Sequence, residues 1–63
     1  MSTAEYRWTA SYWDGRTSRN ATSTLSVPAT STDADVRALA LETLRRFDQV
    51  DMVFSFTSAP VEG

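Results

Sequence analysis

From Tyr6 to Trp13 the side chains alternate in character. Tyr6, Trp8, Ala10 and Tyr12 fall on one side of an extended chain, and Arg7, Thr9, Ser11 and Trp13 on the other. A period of two with aromatic and Thr enrichment is the pattern of a half-buried strand. Asp14-Gly15 follows, and glycine supplies the positive φ that a tight hairpin turn needs. A second alternating run then sets Ala21, Ser23, Leu25 and Val27 against Thr22, Thr24 and Ser26. Facing residues of an antiparallel pair share a face, so the even positions of the first run must meet the odd positions of the second. That requires an even number of loop residues. Loops of Asp14-Gly15, Asp14 to Thr17 and Asp14 to Arg19 all comply. The longest is the expected one, because it pairs Trp8 with Leu25 and Tyr6 with Val27, the largest side chains together.

Pro28 lacks the N–H a ladder needs, so the second strand ends there or lies at an edge. Thr32 with Asp35 three residues later resembles a capping box, Asp replacing the usual Glu or Gln. Val36, Leu39, Ala40, Thr43, Leu44 and Phe47 then form one stripe at helical spacing, with Leu41 off it. Asp33 and Asp35 sit in the first turn, Arg45 and Arg46 in the last, each complementing the helix dipole. The spacing predicts a helix over Asp33 to Phe47. After Asp48-Gln49, Val50, Met52, Phe54 and Phe56 alternate with Asp51, Val53, Ser55 and Thr57, a third strand. Ala59 to Gly63 reads as a frayed tail.

The fold class is therefore α+β with element order ββαβ, one helix packed on a three-stranded, mainly antiparallel sheet. Strand order 2-1-3 puts the most aromatic strand in the centre and leaves Pro28 on an edge. The expected core is Tyr6, Trp8, Leu25, Val27, Met52, Phe54 and Phe56, covered by Val36, Leu39, Ala40, Leu44 and Phe47. The element order resembles the front portion of a β-grasp fold or half of a ferredoxin-like fold, and no function follows from element order alone.

Sixty-three residues make one domain, 1–63, ordered over about 5–58. A chain this short buries only about 60% of its unfolded surface, so it needs a staple or a partner. With no Cys and no His, disulfides and thiolate or imidazole zinc sites are excluded. Very good packing or self-association remains. All six cations are Arg, with Lys and Ile absent, a bias of GC-rich genomes such as those of actinobacteria and their phages. No basic and apolar leader opens the chain, and no apolar run reaches the roughly 20 residues of a membrane span, so the expectation is a cytoplasmic protein without a membrane partner.

Catalysis is not expected. Hydroxyls are plentiful, yet neither His, Cys nor Lys is present to form a nucleophile–base pair, and two glycines cannot build a phosphate loop. No cofactor is implied. Asp33 and Asp35 have helix-capping roles and too few ligands for a dedicated cation site. Two surfaces are candidates for binding. The first is a sheet face rich in Ser and Thr, with Arg7, Thr9, Ser11, Thr22, Thr24, Ser26, Val53, Ser55 and Thr57, which one helix leaves uncovered. The second is the hairpin end, where Trp13 lies off the apolar phase near Arg16 and Arg19, either stacked on an Arg or exposed as a contact residue. The expected function is a small non-enzymatic protein-interaction module or regulatory accessory protein, self-associating as a homodimer through the Ser/Thr face or by pairing edge strands, with an unidentified protein partner. The alternative is a nucleic-acid-binding module using Trp13, Arg16 and Arg19. A net charge of −2 weighs against it, because phosphate binding rests on accumulated positive charge.

Overall fold

In the computed structural model, which describes residues 2–61, the two alternating runs pair over their full length. Strand β1 (Thr3–Trp13) runs antiparallel to β2 (Ser18–Pro28), from Thr3 opposite Pro28 to Trp13 opposite Ser18. Helix α1 (Asp33–Phe47) follows, and β3 (Met52–Pro60) returns antiparallel on the other side of β1. The strand order is 2-1-3, as expected. Strands β1 and β2 outrun their expected bounds, and β3 starts and ends later than expected. Ala59 and Pro60, expected in a frayed tail, pair with Arg7 and Tyr6, and the Val61 amide donates to the Glu5 carbonyl at 2.8 Å. Glu62 and Gly63 lie outside the described residues.

The hairpin keeps the required parity but not the expected length. Its loop is Asp14–Thr17, so Tyr6 faces Leu25 and Trp8 faces Ser23. Local hydrogen bonding decides this. The Asp14 carboxylate accepts from the amides of Arg16 and Thr17, both at 2.8 Å, and the Asp14 amide donates to the Thr17 carbonyl at 3.1 Å. An Asp that captures the amides two and three residues on closes a turn by itself. Gly15 holds φ at 97°, and a Cβ there would lie 2.9 Å from the Asp51 carboxylate.

Helix α1 has the expected bounds and cap. The Asp35 amide donates to Thr32 Oγ1 at 3.2 Å, and the Thr32 amide donates to the Asp35 carboxylate at 3.0 Å. The helix lies across the sheet, touching both β2 and β3. Its buried residues are Val36, Ala40, Leu41 and Leu44. Leu39 and Phe47, expected in the core, are exposed, Phe47 at 84%. The helix is thus rolled so that Leu41, not Leu39, completes its apolar face.

The third strand departs most from simple alternation. Ser11 faces Ser55 and Tyr12 faces Val53, which leaves Phe54 as the extra residue of a β-bulge. The bulge reverses the parity of β3. Beyond it Phe56 pairs with Ala10 on the helix side, and before it Val53 pairs with Tyr12 on the same side. Met52 and Phe54, expected inside, are exposed, while Val50, Val53 and Phe56 pack on the core. Trp8, 3% exposed, stacks on Phe56 with ring centroids 6.1 Å apart and planes inclined by 17°. Trp8, Ala10 and Tyr12 form the floor on which Ala40, Leu41 and Leu44 rest. Tyr6 and Leu25 are half-buried at its margin.

The energetic weight of this core sets a first expectation. A domain of this size is stable by roughly 3–9 kcal/mol. Trp8→Ala removes about 3–5 kcal/mol, so it lowers the thermal midpoint seen by circular dichroism by more than about 12 °C. Thr32→Ala removes one cap worth about 1 kcal/mol. It keeps the fold and lowers the midpoint by about 4–8 °C.

Candidate functional site

One face of the sheet carries the helix, and the other carries no element among the described residues. On that open face, Thr9 and Thr22 lie opposite each other with their hydroxyls 3.2 Å apart, and the Ser11 hydroxyl donates to the Asn20 side-chain oxygen at 2.7 Å. Arg7 faces Thr24, Thr9 also faces Thr57, and Ser11 also faces Ser55. Arg7, Thr9, Thr22 and Thr24 are thus brought together as expected. Val53 is not among them: the bulge turns it to the helix, and Met52 takes its place beside Trp13. Trp13 is 39% exposed at the end of this face.

Arg19 is not part of the Trp13 surface. It lies opposite Tyr12, hence on the helix side, because odd positions of β2 share a face with even positions of β1. There its guanidinium donates to the Asp48 carboxylate at 3.0 Å and lies 3.6 Å from the Asp14 carboxylate. The expected grouping of Trp13, Arg16 and Arg19 is therefore split. Arg16 sits exposed in the turn, and among the described residues no Arg stacks on Trp13.

What Arg19 joins is a polar clamp. The Tyr12 hydroxyl donates to Asp48 at 2.6 Å, Asp48 caps the C-terminus of α1 through its amide to the Leu44 carbonyl at 2.9 Å, and the Asp51 amide donates to the Trp13 carbonyl at 2.8 Å. Gln49 bridges to the Asp51 carboxylate at 3.0 Å. The hairpin turn is thereby docked against the connection from α1 to β3. No sequence motif announces this clamp, since its members are 36 residues apart. The parity of the hairpin was the available signal for Arg19. The hydrogen bond from Tyr12, then that from the Gln49 amide and the charge of Arg19, hold Asp48 below the ordinary carboxyl value of 3.8 against some desolvation. The Thr17 and Arg16 amides hold Asp14 below it too. The same bond to Asp48, with burial, pushes Tyr12 above its ordinary value of 10.0.

Among the described residues, no three carboxylates gather into a metal site, and no helix is long and apolar enough to cross a membrane. The clamp is a structural device, and the open sheet face is left uncovered by the described residues. No family model, curated protein or solved structure matches the chain.

The clamp has a pH signature. Asp14 and Asp48 have depressed folded-state values, so their contribution is present above 3.8 and is lost as pH falls below it. Tyr12 has a raised value, so its contribution is complete below 10.0 and is lost as pH rises beyond it. Thermal midpoints measured against pH decline at both ends. Tyr12→Phe removes the alkaline decline and makes the acid decline shallower, because Asp48 loses its main source of depression.

Proposed function

We propose that this chain is a small, non-enzymatic protein-interaction module that binds through the open face of its sheet and associates with itself. The observation that carries this reading is the open face itself: a three-stranded surface of short hydroxyl side chains, partly cross-bonded, with Trp13 and Met52 exposed at one end. Ser and Thr have little rotamer freedom to lose on contact. Trp is the residue type most enriched among those that dominate binding energy. Chemistry supports the same conclusion, since the chain has no His, Cys or Lys from which to assemble a nucleophile and its base.

The nucleic-acid alternative has less support. Arg19 is committed to Asp48 and Asp14 on the other face. Arg7 stands six residues from Trp13 along β1, about 20 Å at 3.3 Å per residue. Among the described residues that leaves the hairpin turn itself with one cation outside an ion pair, Arg16, against a net charge of −2. Retention of single strands at low salt is the outcome that would revive it.

Affinity capture with the wild-type chain and with Trp13→Ala tests the proposal. Loss of a contact worth about 2 kcal/mol lowers partner recovery about thirtyfold, while circular dichroism stays unchanged. Equal recovery by both chains would remove the open face from consideration.

A further inference from the structure

The two edges of the sheet are built differently. The β3 edge is interrupted by the bulge at Phe54 and ends in Pro60. Both features discourage pairing with another strand. The β2 edge has neither until its last residue. It runs unbroken through eleven residues from Ser18 to Pro28, and Arg19 is its one charged side chain. A long, straight, nearly uncharged edge is a template for one more strand.

The helix reveals what stands beside that edge. Asp33, Ala34 and Arg37 line a groove with Phe56 and Ser58 of β3. This flank of α1 therefore faces β3. At 100° per residue Leu39 and Thr43 lie on the opposite flank, toward β2, and Phe47 continues the row at i+8. Leu39 and Phe47 are both exposed, and so is Ser23, although its position in β2 faces the helix side. An open edge and an uncovered apolar row thus share one side of the molecule. The shape agrees. The extents are 41 × 18 × 17 Å and the radius of gyration is 12.1 Å, against about 10.6 Å for a globular chain of this length. The accessible surface is 4606 Å², against about 4000 Å² for a typical monomer of this mass. The excess, roughly 600 Å², approaches the roughly 800 Å² that each partner buries in a stable complex.

We infer that a second copy of this chain occupies the β2 side, its own β2 pairing antiparallel across a two-fold axis at Ser23 to make one six-stranded sheet. The register follows from the strand. Centring on Ser23 pairs all eleven residues, sets Leu25 opposite the partner's Ala21 and Thr22 opposite the partner's Thr24, and keeps each face of the sheet continuous. It holds the two Arg19 residues about 26 Å apart, so no like charges meet. Both helices then lie on one face, their axes three strand spacings or about 14 Å apart. That is wider than the 8–10 Å of direct helix packing, and the Leu39 and Phe47 side chains of both copies fill the difference. This inference rests on the interaction reading above and assigns its self-association to β2, leaving the open sheet face for another protein.

Light scattering across a concentration range tests it, with three chains checked for folding by circular dichroism. The wild type is expected at twice 7.0 kDa. Ser23→Asp sets two carboxylates directly opposite at the two-fold and raises the dissociation constant about a hundredfold. Mixing Ser23→Asp with Ser23→Lys restores the dimer as a heterodimer. A wild-type chain that stays monomeric into the millimolar range overturns the inference and leaves the Trp13 capture experiment to decide the open face on its own. A dimer of unchanged affinity in Ser23→Asp also overturns it, placing self-association on another surface while the interaction reading stands.

Discussion

Strand β1 holds both hydrogen-bonded ladders, and its even-numbered side chains are the ground on which everything else is placed. Trp8, Ala10 and Tyr12 point to the helix and are almost completely buried. Once they do, the even-length turn forces Ala21, Leu25 and Val27 to the same side, and the bulge at Phe54 lets both Val53 and Phe56 reach it. A straight strand cannot bury residues three apart on one face, because its period is two. The small Ala10, fully buried and opposite both Ala21 and Phe56, leaves space for the large rings on either side.

Tyr12 ties this apolar floor to the polar end of the molecule. Its ring lies in the core while its hydroxyl reaches Asp48, and through Asp48 it meets Arg19 and the end of the helix. A buried hydroxyl without a partner would be costly. Here its acceptor also caps the helix, so one short bond fixes where α1 ends relative to the hairpin. The exposed ion pair with Arg19 adds little by itself, since solvent screens its attraction and the long side chain loses freedom. The parity of β2 has already set Arg19 on the helix side, so among the described residues the strands leave Arg7 as the cation of the open face.

The elements readable from the sequence were those encoded by local chemistry. The Thr32–Asp35 box and the charges at both helix ends announce α1, and the alternation of β1 and β2 announces the hairpin and its parity. Strand order followed from placing aromatic residues centrally and Pro28 at an edge. What stayed hidden depends on contacts between distant segments. Val50, Met52, Phe54 and Phe56 satisfy alternation as well as the true arrangement does, and only the docking of Val53 beside Tyr12 selects the bulge. The roll of the helix that buries Leu41 and exposes Leu39 depends on where β3 lies beneath it. The turn length hinged on Asp14, whose carboxylate competes for amides more effectively than large side chains compete for register. For the candidate surface, Arg7, Thr9, Thr22 and Thr24 were legible as one face. Arg19 was legible as belonging to the other, by the same parity, once its own position was counted.

Of the three strands the central one is made before its two neighbours, and β3 is made after both others. Tyr6 pairs with Pro60, nearly the whole chain away. While the polypeptide is being synthesised, β1 and β2 can meet early through their four-residue loop, but the other side of β1 has no partner until β3 emerges. A free hairpin of this kind is marginal in water, and non-local pairings form slowly because chain closure precedes any gain. Strand β3 therefore completes the core around Trp8 after β1 and β2 are made, and a nascent chain halted before β3 would present the middle of its own sheet as an unpaired edge.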